Sequence, residues 1–197
     1  MPEFSTLEPV ATHLWRRLDQ PGHDAVRLER PPAGWRLAGT ALLLEDMRPC
    51  RLDYEVLCDE TWRTRAARVA GWFGTEAVRV ELAADGAGQW RLNGAPQPQV
   101  AGCLDVDLSF TPATNTLPIR RLNLTIGAAA PVAAAWLRFP ELALERLEQV
   151  YTRTAEREYL YESDGGRFVA PVTVSDAGLI TRYGELWQTE TESPRSK

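Results

Sequence analysis

The sequence predicts a mainly antiparallel β protein folded as one domain. Three observations carry that expectation: apolar and polar residues alternate with period two through the middle of the chain, turn signals recur at short intervals, and helical periodicity is scarce. At 197 residues, with 44% hydrophobic and 25% charged, the chain has the length and composition for a substantial core. Its 14 Gly and 14 Pro supply the turns.

The clearest strand runs from Cys50 to Cys58. Cys50, Leu52, Tyr54, Val56 and Cys58 fall on one side and Arg51, Asp53 and Glu55 on the other, the pattern of a half-buried strand. Val78, Val80 and Leu82 alternate with Arg79 and Glu81, and after Asp85-Gly86 the chain returns through Trp90 and Leu92, which predicts a hairpin. Leu104, Val106, Leu108 and Phe110 alternate with Cys103, Asp105, Asp107 and Ser109. Leu122, Leu124 and Ile126 alternate with Arg121, Asn123 and Thr125, and both segments are read as strands. Asp164-Gly165-Gly166 and Asp176-Ala177-Gly178 bound further short strands, Arg167 to Val174 and Leu179 to Tyr183. The similar stretches Gly34-Trp35-Arg36-Leu37 and Gln89-Trp90-Arg91-Leu92 read as repeated strand-and-turn solutions rather than a duplication. Turns at this spacing indicate a barrel, roll or sandwich.

Two segments compete for helix. Thr111 to Arg120 offers Thr and Asn side chains able to cap a short helix, with Pro118 tolerable in its first turn. In Glu141 to Thr154, Leu144, Leu147 and Tyr151 match helical spacing, but Leu142 and Leu144 also match a strand, so periodicity leaves the two open. Pro131, after Gly127-Ala128-Ala129-Ala130, is confined to a loop or strand edge because it cannot donate to a ladder. The domain is expected over residues 1–188, with the unpatterned Thr189 to Lys197 as a frayed tail.

Composition narrows the chemistry. Net charge is -5 from 22 basic and 27 acidic residues, and the basic ones are scattered, so no nucleic-acid partner is expected. Met1 to Val10 lacks the basic start and apolar stretch of a secretory signal, and no run approaches the ~20 apolar residues that span a bilayer, so a cytoplasmic rather than integral membrane protein is expected. Cys50, Cys58 and Cys103 leave an odd thiol however they pair. Cys50 and Cys58 on one strand would sit ~26 Å apart, too far for a disulfide, so free thiols in a reducing compartment are expected. Only His13 and His23 are present, and the phosphate-loop, dinucleotide and Cys-x-x-Cys motifs are missing, so neither a metal nor a cofactor is expected.

The best catalytic candidates are Asp105 and Asp107, because residues two apart on a strand project from one face and two such carboxyls can share a proton or a cation. The plainer reading pairs them with arginines, Arg63, Arg65, Arg120 or Arg121, which would lower their pKa values and suit structure or ligand contact. Among the seven Trp residues, Trp62 and Trp72 could share a strand face and Trp136 lies in an apolar segment. Each has a flat face for a sugar ring or acyl chain, though core packing is the simpler role.

Trp62-Arg63-Thr64-Arg65, followed by the long string from Gly102 through Asp105-Val106-Asp107, Thr114-Asn115-Thr116-Leu117-Pro118 and Arg120-Arg121-Leu122, resembles the bacterial glycolipid-binding family whose fold is called a spiral β-roll. The resemblance covers Trp15 to Trp187 and includes Tyr54, Asp59, Gln149-Val150-Tyr151 and Gly178-Leu179-Ile180. It implies a long, highly curved antiparallel sheet wrapped around a single α-helix, a homodimer, and a glycolipid or related amphiphile as partner. On that basis the helix is placed near Thr114 to Arg121 and Glu141 to Thr154 is left in the sheet. The expected function is a non-catalytic carrier or sensor with an apolar cleft and a charged mouth. Trp62, Arg65, Asp105, Asp107, Asn115, Arg120 and Arg121 are the expected ligand contacts, with the arginines meeting head groups through forked hydrogen bonds. The alternatives are a small-substrate hydrolase or isomerase using Asp105 and Asp107, and a dimerisation or regulatory module.

Overall fold

Period-two burial organises residues 9–190, which the computed structural model describes. From the N-terminal side the strands are β1 (Pro9–Arg17), β2 (Gly22–Glu29), β3 (Trp35–Glu45), β4 (Arg48–Cys58), β5 (Thr64–Phe73), β6 (Glu76–Ala84), β7 (Trp90–Leu92) and β8 (Ala95–Pro96). Then come β9 (Asp105–Leu108), the helix α1 (Thr116–Leu122), β10 (Ala129–Arg138), β11 (Ala143–Ala155), β12 (Glu158–Ser163), β13 (Phe168–Val174), β14 (Ile180–Tyr183) and β15 (Trp187–Thr189). In β4, Cys50, Leu52, Tyr54, Val56 and Cys58 are all buried while Arg51 and Leu57 face outward, as the alternation predicts. β6 buries Val78, Val80 and Leu82 and turns back into β7.

All fifteen strands form one sheet in the order β8-β7-β6-β5-β4-β3-β2-β1-β15-β14-β13-β12-β11-β10-β9. Two antiparallel meanders are therefore joined along a seam where β1 pairs with β15, Trp15 opposite Thr189. β9 breaks the antiparallel pattern by lying parallel to β10, an arrangement that needs a long crossover, and the connection through α1 supplies it. The sheet curls until its β9 edge meets β5. There the Thr64 amide donates to the Leu104 carbonyl (2.9 Å), and the Val106 amide donates to Thr64 Oγ1 (3.0 Å).

The single helix lies where the resemblance places it, and Glu141 to Thr154 falls almost wholly in β11. Thr116, Leu117, Pro118 and Ile119 are buried, so α1 serves as core inside the roll. Its capping differs from expectation. Asn115 makes no side-chain cap. Instead Thr111 Oγ1 accepts from the Ala113 amide (3.0 Å) and Thr114 Oγ1 accepts from the Leu108 amide (3.2 Å), tying the helix start to β9. At the other end Asn123 takes the left-handed conformation and its amide donates to the Ile119 carbonyl, closing the last turn.

Three other expectations are corrected. Leu122 ends α1 and Leu124 to Ile126 are not strand, because a helix stop and a turn produce the same short alternation. Trp62 lies in the turn before β5 with φ 68°, while Trp72 is in β5, so they share no strand face. Thr189, assigned to the tail, ends β15; residues 191–197 lie outside the described residues. Pro131 sits in β10, beyond the Ala134–Leu137 stretch that β9 covers, so its missing donor falls on the open edge as anticipated. Cys50, Cys58 and Cys103 are free and buried.

The interior also holds a carboxyl without a cation. Asp24 of β2 has no exposed surface and accepts from Tyr54 Oη (2.9 Å) and from the Thr111 hydroxyl. Gly39 makes this possible, since a Cβ there would collide with the Tyr54 ring and the Ala25 carbonyl.

Candidate functional site

A cavity of about 460 Å³ opens among the inward faces of the second meander and the start of the helix segment. Strand alternation aims its walls: Tyr161 of β12 faces inward with Tyr159, Tyr183 comes from β14, Trp187 from β15 and Trp136 from β10. The Tyr161 ring meets Tyr183 edge-on at 5.6 Å and Tyr151 at 5.1 Å, so the wall is aromatic and stiff. Phe168, 36% exposed, and the exposed Asp164 stand on its outer side.

Polar groups share this wall with the rings: Asp107, Ser109, Thr111, Asn115 and Ser163 also line it. Asp107 of β9 lines the cavity, and Gln149 Nε2 donates to its Oδ2 at 2.7 Å. Burial pushes its carboxyl up to about 6, with the Gln149 hydrogen bond opposing, and among the described residues no arginine pairs with it. Asn115 lines the same cavity and donates from Nδ2 to Tyr151 Oη (2.9 Å). Burial raises the hydroxyl pKa values of Tyr151, Tyr161 and Tyr183, and the Asp107 charge adds to each, so all three remain neutral hydrogen-bonding groups.

The structure distributes the seven expected contacts over several places. Only Asp107 and Asn115 line this cavity. Asp105 is fully buried and held by Arg121 in a forked ion pair, Nε to Oδ1 at 2.9 Å and Nη2 to Oδ2 at 2.5 Å. Burial outweighs the pull of Arg121 and leaves the Asp105 carboxyl above its ordinary value, contrary to the lowering expected from pairing. Each of the two aspartates thus answers to a different donor, Arg121 for Asp105 and Gln149 for Asp107. Trp62 is 6% exposed and stacks on Trp35 at 4.2 Å, a core role. Arg65 donates to the Asp85 carbonyl at 2.6 Å, bracing the β6–β7 turn away from the cavity. Arg120 lies over the Trp62 ring at 5.5 Å and faces a separate, smaller pocket. Among the described residues, no group of three or more His, Cys, Asp or Glu is placed to hold a metal, and no helix is long and apolar enough to cross a membrane.

A family model described as "Putative glycolipid-binding" matches residues 12–189. The chain belongs to that family. This family member is also similar to the crystal structure of a DUF1089 family protein from Pseudomonas aeruginosa, at 32% identity and a TM-score of 0.78, covering 88% of this chain and 94% of that one. Curated proteins give no match.

In this glycolipid-binding family member, the wall residues Tyr161 and Tyr183, and Gln149 and Tyr151 that hydrogen-bond to Asp107 and Asn115, were not anticipated at the site. Gln149 and Tyr151 lay in view, two apart and so on one strand face, but placing them beside Asp107 and Asn115 requires the β9–β10–β11 pairing. Tyr159 and Tyr161 carry the same signal of spacing, without indicating which face encloses empty space.

Proposed function

We propose that the protein is a non-catalytic carrier or sensor that holds the glycosyl head and adjoining chain of an amphiphile in the 460 Å³ cavity. The observation that carries this reading is an aromatic cavity lined by a carboxylate, Asp107, that has no cation among the described residues. Its volume lies within the ~300–1,000 Å³ usual for small-molecule sites. The half-buried Trp136 offers a flat face to a sugar ring, with Trp187 and Tyr161 in the wall around it, while Asp107 and Asn115 fix its hydroxyls. Each methylene buried beside them would add ~0.8 kcal/mol. The free, buried thiols support a reducing compartment, and a homodimer is the expected assembly, measurable by light scattering.

The test is to purify the protein from its host, extract bound lipid for mass spectrometry, and titrate a glycolipid panel. We expect a glycosylated amphiphile in the extract and saturable binding that weakens about tenfold in Asp107→Asn. An empty extract together with no binding across the panel overturns the proposal.

One observation favours a second reading. A carboxyl poised at about 6 inside a cavity has the acidity of a general base. Turnover of a small sugar substrate that Asp107→Asn abolishes would establish that reading over the carrier.

A further inference from the structure

A second concavity, of about 220 Å³, lies at the other end of α1 and has no role in the reading above. It falls below the usual ~300–1,000 Å³ of small-molecule sites, so its size suits a compact group. The last turn of α1 contributes Arg120, β11 contributes Arg153, β12 contributes Tyr159, and the β13–β14 turn contributes Ser175 and Gly178. Tyr159 stands two residues from Tyr161, so the two pockets are neighbours along β12, roughly 7 Å apart in strand rise.

The charges here are unevenly matched. Arg157 is paired with Asp176 at the rim. Arg153 spends three N–H groups on backbone carbonyls, those of Leu124, Ala155 and Glu156, which support the loop without neutralising the charge. A guanidinium has five N–H donors, so two remain. Among the described residues Arg120 has no carboxylate partner. Its stem runs across Gly178, where a Cβ would come within 2.6 Å of Arg120 Cδ, and its head rests against the Trp62 face. Both Arg120 and Arg153 act electrostatically on the Tyr159 hydroxyl, and Arg153 lies 5.8 Å from that ring, so the two cations converge. In the same lining the buried Ser175 hydroxyl has no hydrogen-bond partner among the described residues. Among the described residues Glu156 is the one carboxylate of the lining with no cation paired to it, and Arg120 and Arg153 outnumber it.

We propose that this pocket binds a phosphoryl or similar tetrahedral oxyanion, held by Arg120 and Arg153 with the Ser175 hydroxyl completing the cradle. A plainer role for Arg120 is to complement the carbonyl end of α1, where a cation is favourable. The geometry favours the anion: Arg120 donates to none of those carbonyls, and an orphaned hydroxyl in a lining with two such cations matches an acceptor-rich guest. Concentrating positive charge in one concavity of a protein with net charge -5 would also focus anions there. The proposal is independent of what fills the larger cavity.

The experiment titrates inorganic phosphate and sulfate into the full chain at constant ionic strength, with chloride as the balance, by calorimetry and thermal unfolding. We expect saturable phosphate binding on the order of 1 mM and a rise in melting temperature, with affinity falling at least about tenfold in Arg120→Gln. A merely structural Arg120 would lower the melting temperature in chloride and leave phosphate affinity unchanged, which would overturn the proposal, as would the lack of saturable binding in the native chain. Should Arg120→Gln fail to fold, Ser175→Ala removes a hydroxyl that has no partner to lose and is expected to weaken phosphate binding several-fold; unchanged affinity there overturns the proposal. Vesicles distinguish the source. Sedimentation with phosphatidylglycerol but not phosphatidylcholine vesicles, lost in Arg120→Gln, assigns the anion to a lipid head group. Phosphate binding without vesicle association assigns it to a soluble phosphorylated compound.

Discussion

Asp24, fully buried, and Asp107, half-buried at a cavity wall, are carboxyls without a cation among the described residues, one in each half of the sheet, and the space around them differs. Asp24 is enclosed: Tyr54 and Thr111 donate to it, and Gly39 is needed merely to admit the Tyr54 ring. Asp107 has one donor, Gln149, and beyond it an open cavity. Thr111 stands between the two, with its hydroxyl on Asp24 and its edge on the cavity wall. A buried acid becomes a binding group when its remaining lone pairs face a void. Where the protein itself satisfies them, it becomes a structural element.

The largest expected effect comes from a third aspartate that has a cation. Arg121→Met leaves the Asp105 carboxyl in the core either charged without a partner or forced to take up a proton, and urea unfolding should show a loss of ~3–5 kcal/mol. The pH dependence of stability comes next. Burial raises Asp24 to about 7 and Asp107 to about 6, so both contribute stability that is full below pH ~4 and lost as pH rises through 6 and 7. At ~1.4 kcal/mol per unit, the Asp24 shift alone corresponds to about 4 kcal/mol. Asp24→Asn should therefore flatten the decline in unfolding free energy between pH 4 and 8, and an unchanged slope would count against the enclosed carboxyl. Asp107→Asn should behave differently: little change or a slight gain in stability at pH 7, with about tenfold weaker amphiphile binding. If instead it lowers stability markedly and leaves the affinity of the folded protein unchanged, the contrast between the two aspartates is broken. The smallest effect is expected for Arg65→Gln, within ~0.5 kcal/mol of native and with unchanged binding, because its contact is an exposed turn carbonyl.

Local periodicity made much of the fold legible. β4, the β6–β7 hairpin and the short strands after Gly166 and Gly178 are visible because neighbours in sequence decide which face is buried. The misreading of Leu124 and Ile126 has the same origin, since three alternating residues fit a helix end as well as a strand. The site was legible only in part. Asp107 and Asn115 stand out by residue type and setting, but their partners Gln149 and Tyr151 lie 42 and 36 residues away. The arginines looked equivalent in sequence; curvature of the sheet sent Arg121 to Asp105, Arg65 to a turn and Arg120 to a pocket of its own.

The seam between β1 and β15 has a consequence for synthesis. Trp15 meets Thr189 across it, and the Trp15 indole N–H reaches the Ile180 carbonyl at 2.7 Å. A nascent chain emerging from the ribosome would present β1 as a raw edge until almost the whole second meander had been made. Closing so distant a pair is slow, and an unpaired strand invites the wrong neighbour in the meantime. A version joined across this seam and reopened at the β6–β7 turn would shorten that wait, and its refolding rate against the native order would measure how much time the seam costs.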